Sequence, residues 1–340
     1  MLQQRLASQW VKDFRQRGLH ALTHTGGEDH NVHKQSEKVE KMEKFNMQSP
    51  FLRRFRVLCL IAVVLAVAAC SSVRFAYNQG DTLLYWWLDA YVDLDSEQKG
   101  PVKEDIDQLI TWHRKTQLKD YSQLLATAQR ELAAGNVTQA DLKTHYREIK
   151  SRTELLAYKA LPELADLALS VKPEQIANIE EKFNKNNETF RKKFVKIDNE
   201  QKQKLRYKKS MEQFELWFGS FSSEQEAVLR RASDVRPLNN EIWLEERVIR
   251  QRRIIAVLRE IQQKKLNKDA TMAVLHKLLE EIFSRFDAPE RKAFFDSYID
   301  GTINLVHTAV RISTPAQKAH AQKRMQGWID DFKVLASGNK

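Results

Sequence analysis

The residues whose types and spacing could do chemistry crowd into one short stretch. Tyr77-Asn78 is followed by Tyr85-Trp86-Trp87-Leu88-Asp89, by Gln98, and by Trp112-His113-Arg114. His113 titrates near neutrality and so invites a general acid–base reading. A base of that kind needs a partner group. The nearest acids, Asp105 and Asp107, lie within two helical turns but not four residues away. A partner from another helix stays open; the plainer reading is a histidine that hydrogen-bonds within the structure. Arg114 could pair with Asp89 or with a phosphate. Adjacent tryptophans on a helix point about 100° apart. One ring can therefore enter the core while the other meets a membrane or a partner, its apolar body and polar N–H suiting such a boundary. Two core tryptophans are the alternative.

Elsewhere the chain is poor in reactive patterns. There is no H-E-x-x-H, G-x-S-x-G or glycine-rich phosphate loop. His145, His276, His307 and His320 stand singly on separate segments, without metal-ligand spacing. The acid pairs Glu180-Glu181, Glu245-Glu246 and Glu280-Glu281 read as solvated helix faces. Glycoside chemistry would need two carboxylates facing across a cleft. Nothing in the sequence asks for a cofactor or a metal.

The elements that must hold these residues are helices. After residue 70 there are only seven glycines and six prolines, and apolar residues recur at spacings of three and four. The pattern predicts an all-α fold, an elongated helical bundle. Helices are expected at 80–92, 97–133, 139–169, 173–218, 223–265, 269–285, 289–311 and 315–335. In 173–218 the stripe Ile176, Ile179, Phe183, Phe190, Phe194 and Ile197 faces one way, and Met211, Phe214 and Trp217-Phe218 resume it. The other face carries lysines and arginines. A straight helix there would reach roughly 70 Å. Segment 223–265 matches it in length, so the two should form a long antiparallel hairpin, with Pro237 interrupting the second arm.

Helix starts share a form: Leu94-Asp95-Ser96-Glu97-Gln98, Val171-Lys172-Pro173-Glu174-Gln175, Phe221-Ser222-Ser223-Glu224-Gln225, a weaker Phe286-Asp287-Ala288-Pro289-Glu290-Arg291, and Thr314-Pro315-Ala316-Gln317. Asp95, Ser222 and Thr314 can cap backbone amides, and Gln98, Gln225 and Gln317 can reach back. Pro173 and Pro315 sit where the first turn needs no donor.

Ahead of this region, Arg53-Arg54-Phe55-Arg56 precedes thirteen apolar residues, Val57 to Ala69, ending in Val67-Ala68-Ala69-Cys70 and then Ser71. The run is short for a membrane span of roughly 20 residues and suits a signal-peptide core. It resembles the lipobox of bacterial lipoproteins, with Val67 where leucine is commoner. The resemblance implies an acylated Cys70 as the first mature residue, a lipid anchor and an extracytoplasmic domain. Ser71 in place of an inner-membrane aspartate implies the periplasmic side of the outer membrane. The expected division is 1–46, an upstream-start or disordered segment; 47–69, a lipoprotein signal peptide; and 70–340, a periplasmic α-helical domain. Within the last, 70–170 carries the aromatic amino-end helices, 171–266 the hairpin and 267–340 the C-terminal helices. His20, His24, His30 and His33 in the first segment lack a second ligand type.

The full chain has a formal net charge of +11, and beyond residue 69 the surplus of Lys and Arg falls to six. That is mildly basic, not a nucleic-acid stripe, and no nucleic-acid partner is expected. The only cysteines are Cys59 and Cys70. The mature fold thus has no disulfide and must rest on one hydrophobic core or two smaller ones.

The YN, WW-x-D, D-x-x-Q and WHR boxes after a lipobox resemble an uncharacterised family of bacterial lipoproteins, with good specificity from Cys70 to about Leu125. Carried over, the marked positions are Tyr77, Asn78, Trp86, Trp87, Asp89, Gln98, Trp112 and His113. The family implies an address and a fold, not a reaction. The helix-start boxes are similar to the LTxxQ signature of periplasmic chaperones, with Asp, Lys or Ser in place of Thr; common capping chemistry gives the same pattern. The expected function is non-catalytic: a lipid-anchored periplasmic helical protein that binds a client polypeptide or an envelope partner. A cell-wall or lipid-modifying hydrolase using His113 and an LTxxQ-like stress chaperone are the alternatives.

Overall fold

A computed structural model describes residues 72–285 and 288–338. Cys70, the signal-like segment and the histidines of the first 46 residues lie outside them. The described part is all-α: thirteen α-helices and one π-helical turn, with no strand among the described residues. In chain order these are α1 (Ser72–Asn78), α2 (Gly80–Val92), α3 (Ser96–Thr116), α4 (Leu118–Ala134), α5 (Gln139–Lys159), α6 (Leu161–Ser170), α7 (Pro173–Phe190), the π-turn Arg191–Val195, α8 (Asn199–Phe218), α9 (Ser223–Asp234), α10 (Asn240–Lys264), α11 (Lys268–Phe283), α12 (Pro289–Ile312) and α13 (Pro315–Ala336).

Three helices expected to be continuous are divided, each for a local reason. Segment 97–133 bends at Gln117, where Thr116 turns its hydroxyl back to the Trp112 carbonyl at 2.8 Å. The next residue, Leu118, is 1% exposed and carries α4 into another part of the core. Segment 139–169 breaks at Ala160 because Pro162 follows and has no N–H to continue the ladder. Segment 173–218 relaxes into the π-turn after the poor helix formers Asn184, Asn186 and Asn187, and restarts with Asp198 accepting the Gln201 N–H at 2.8 Å.

The hairpin is present, with both arms broken. Gln262 donates to the Val171 carbonyl, Asn187 to Gln251, Asn240 to the Phe194 carbonyl, and Tyr207 to the Glu226 carbonyl. Partners that rise in one arm fall in the other, which is antiparallel register along its whole length. Gly219, at φ 77°, turns the chain between the arms. Pro237 interrupts the second arm between α9 and α10, as expected. The carbonyls that the interruption frees from the helical ladder are met by Arg206, which donates to Ser233, Arg236 and Pro237 at 2.8, 3.0 and 2.8 Å. Gly301 lets α12 pass close by: a Cβ there would sit 3.0 Å from Arg236 Cγ.

Two cores form. One gathers Val92, Leu94, Val102 and Ile106 with Ala168, Val171, Ile176, Ile179, the α10 residues Ile255 to Ile261, and Leu278. The other joins Leu132 to Met211, Phe214, Phe218, Phe221, Leu229, Leu305, Ala309 and Ala321.

The capping boxes do more than start helices. Asp95, Ser222 and Thr314 cap as expected, and Gln98, Gln225 and Gln317 accept the N–H of their own cap residues at 3.1, 2.9 and 2.8 Å. Gln175 does the same for Lys172 at 2.8 Å. The boxes then meet in pairs. Gln98 and Gln175 exchange amide hydrogen bonds, at 3.0 and 2.7 Å. Each also donates to the carbonyl two residues before the other's cap, Ser170 and Asp93. Gln225 and Gln317 repeat the arrangement, reaching Ile312 and Ser220. Lys172, which has no acceptor with which to cap, instead reaches Asp95 of the facing box at 2.9 Å. Of the 286–291 box, Phe286 and Asp287 lie outside the described residues; α12 begins at Pro289, and its cap residue Ala288 has no side-chain acceptor.

Candidate functional site at the aromatic amino-end helices

Helices α1 to α4 bring Tyr77, Trp112, His113 and Tyr121 together. The chain turns at Gln79 between α1 and α2, and a Cβ added at Gly80, the first residue of α2, would meet Ile110 Cδ1 on α3 at 3.8 Å. The Tyr77 hydroxyl hydrogen-bonds to His113 Nδ1. The His113 ring lies 5.5 Å from Tyr121 and 6.3 Å from Trp112, centroid to centroid, and Tyr121 continues to Phe332 on α13. Burial lowers the His113 pKa to about 4 and pushes the Tyr77 phenol well above its usual range. The imidazole is therefore neutral at pH 7. No described carboxylate stands within hydrogen-bond reach of it; Asp105 and Asp107 do not join it. The Tyr77 hydroxyl and the Tyr121 and Trp112 rings hold the imidazole in place.

Arg114 does not meet Asp89, one of the two partners open to it. Its guanidinium donates to Asn78 Oδ1 at 3.4 Å and lies 5.4 Å over the Tyr77 ring, rather than pairing with Asp89. Asp89 instead accepts the Leu94 N–H at 3.0 Å, closing the turn in which Asp93 takes a left-handed φ of 59°. Gln98 belongs to the buried amide pair already described. Trp112 carries the Lys159 ammonium 5.8 Å above its ring.

The tryptophan pair departs from expectation. Neither ring enters the core: Trp86 is 53% and Trp87 42% exposed. Trp87 leans on Tyr91, centroids 5.1 Å apart, which in turn meets Phe183. Phe75 on α1 is 65% exposed. Core positions on this side of α2 are filled by Leu84, Tyr85, Leu88 and Val92, which leaves the tryptophans the opposite arc. The amino-end helices thus leave three large aromatic side chains exposed, Phe75 on α1 and Trp86 and Trp87 on α2.

Several polar residues of consequence went unread in the sequence. Gln175, Gln225 and Gln317 were legible as caps but not as cross-partners, because the pairing links residues 77 and 92 positions apart. Glu246 was read with Glu245 as a solvated face. It is 1% exposed and faces Arg291 and Arg285. A signal existed: Glu246, Arg247 and Arg250 recur at helical spacing on the same side of α10 as apolar Trp243. The pair Glu131–His145, 2.5 Å apart, lies in a groove between α4 and α5 with Asp120, Glu148 and Arg152. No cluster of three or more metal-type ligands occurs among the described residues.

No described helix is long and apolar enough to cross a membrane. The model of a family of unknown function, DUF6279, matches residues 90–279, more than half of the chain, and the chain belongs to that family. The matched span includes Gln98, Trp112, His113 and Arg114 and begins just after Asp89. No curated protein and no solved structure matches the chain.

Proposed function

We propose that this DUF6279 protein is a lipid-anchored, extracytoplasmic helical protein of the outer membrane that works by binding a polypeptide or envelope partner. Cys70 is the lipidation site. The observation that carries the reading is the exposed set Phe75, Trp86 and Trp87 on the first two described helices, directly following Cys70 in the chain. Large exposed aromatic surfaces mark membrane or partner contacts. The surroundings of His113 support a non-catalytic role. Its Nδ1 is engaged by Tyr77, and no described acid stands ready to activate it.

Acyl labelling in cells tests the anchor. The wild-type chain should take up labelled palmitate and accumulate as a precursor under globomycin, and Cys70→Ala should take up no label and stay uncut with or without globomycin. A Cys70→Ala chain that still labels and fractionates with the outer membrane removes the proposal. The reciprocal glutamine pairs favour one second reading, an LTxxQ-like chaperone. That reading requires the purified chain to suppress aggregation of an unfolded substrate at near-equimolar ratio, and failure to do so discards it.

A further inference from the structure

The middle of α10 gathers more positive charge than it can neutralise. Glu246 is 1% exposed and has Arg291 Nε at 3.2 Å and Arg285 Nη1 at 3.8 Å. One turn along α10, Arg250 is half-buried in the field of Glu246, Arg285 and Arg247. Arg247 lies 6.0 Å over Phe190, and Arg285 only 3.7 Å over Phe295. Arg285 and Arg291 thus pair with one buried carboxylate, Arg250 lies in its field, and Arg247 flanks Arg250 with no carboxylate of its own. The other groups facing them are the phenols of Tyr91 and Tyr146 and the carboxylate of Asp296, which is held by Lys292 at 2.9 Å.

The donors are also unspent. The Nε atoms of Arg247 and Arg250 are buried without an acceptor, and neither residue forms an ion pair with any described residue. Taking one charge out of water without a partner costs several kcal/mol. Among the structural ion pairs of this chain, Arg152 shows the ordinary solution: it is met by both Asp120 and Glu148, at 2.6 and 2.5 Å. Arg250 has no such partner. Arg291 adds a second feature. It sits in the first turn of α12, whose cap residue Ala288 supplies no side-chain acceptor, at the helix end that favours negative charge.

We propose that this cluster is an oxyanion site for a phosphate-type group, held by Arg250 with Arg247, Arg285 and Arg291, and that Glu246 fixes the last two in position. A surplus of three positive charges suits a phosphoryl group, which brings up to two negative charges and several acceptor oxygens, better than a single carboxylate. Guanidinium forks match such oxygens bidentately. The chemistry is shared by free phosphate and by the phosphodiester of an anionic lipid headgroup. The proposal stands apart from the lipid anchor, since the arginines would bind phosphate wherever the chain resides.

Thermal unfolding of the full chain tests it, at constant ionic strength in chloride, inorganic phosphate or glycerophosphoglycerol, the deacylated headgroup of phosphatidylglycerol. A probe at tenfold its Kd should raise Tm by about 3 °C over chloride. The larger response assigns the source: glycerophosphoglycerol for a lipid, inorganic phosphate for the free ion. Arg250→Gln should raise Tm in chloride, because it removes a desolvated unpaired cation, and should abolish the response to either probe. Arg285→Gln should weaken the response, and Lys204→Gln, on an exposed face of α8, should leave it intact. The inference is overturned if neither probe stabilises beyond chloride. It is equally overturned if Arg250→Gln lowers Tm in chloride and keeps the response, the behaviour of a purely structural arginine.

Discussion

Truncating Gln175 to alanine removes one half of an amide pair, and the loss can be worked from its bonds. Gln175 Oε1 accepts from the Lys172 N–H at 2.8 Å and from Gln98 Nε2 at 3.0 Å. Its Nε2 donates to the Asp93 carbonyl at 2.9 Å and to Gln98 Oε1 at 2.7 Å. Gln98 and Gln175 are 6% and 4% exposed, so the amide left behind on Gln98 finds little water. Asp93 and Lys172 are exposed residues, and their backbone groups recover part of what they lose. One well-buried orphan amide, at about 1–3 kcal/mol, together with a lost cap interaction, gives an expected destabilisation of about 3–4 kcal/mol. Urea unfolding of Gln175→Ala, Gln98→Ala and the double variant measures it. The two single losses should sum to about 1–2 kcal/mol more than the double loss, since each single variant already breaks the exchange. Additive losses, or a single loss below about 1 kcal/mol, would refute the view that the two glutamines act as one reciprocal unit. Gln225→Ala should cost less than Gln175→Ala, because Gln225 is only half-buried.

Other perturbations probe other parts. His113 has a folded pKa of about 4 against an ordinary 6.5, so as pH falls the unfolded chain takes up the proton first. Its contribution is complete above pH 6.5 and is lost between 6.5 and 4, by up to roughly 3 kcal/mol. Urea titrations from pH 7.5 to 4 should show this slope in the wild type and a shallower one in His113→Gln; identical slopes would refute the assignment. Glu246→Gln strands Arg285 and Arg291 around a buried neutral side chain and should destabilise by about 3 kcal/mol, read from the urea midpoint. Leu229, 0% exposed in the second core, should cost about 3 kcal/mol as Leu229→Ala by the same measurement, and a loss below about 1 kcal/mol would show that the site collapses around the gap.

Much of the fold was written in short-range chemistry. The caps at Asp95, Ser222 and Thr314 and the break at Pro237 depend on residues within a few positions of one another, and each fell where expected. Helix continuity was harder to read. Pro162, a Thr116 hydroxyl and a run of asparagines each divide a helix whose apolar rhythm runs on unbroken. The site depended on long-range meetings. Asp89 had two plausible partners in Arg114 and the chain after α2, and only the turn at Asp93 decides between them. Trp86 and Trp87 could not be placed by composition, because the space beside them goes to Leu84 and Leu88. Glu246 looked like one more surface acid until the second arm was folded onto α12.

The two cores are interlaced along the chain. The second takes Leu132 from α4, then skips α5 to α7, whose buried residues include Ile176 and Ile179 of the first, before resuming at Met211 and closing with Ala321. Gln129 on α4 reaches the Gln322 carbonyl on α13, at 3.0 Å, across 193 positions. Trimming the polypeptide at residue 279, where the family match stops, would strip α12 and α13 from their neighbours and bare the apolar sides of α4, α8 and α9. A recombinant fragment cut there should clump or be digested, while the first core, whose buried residues from Val92 to Leu278 all precede the cut, outlasts it.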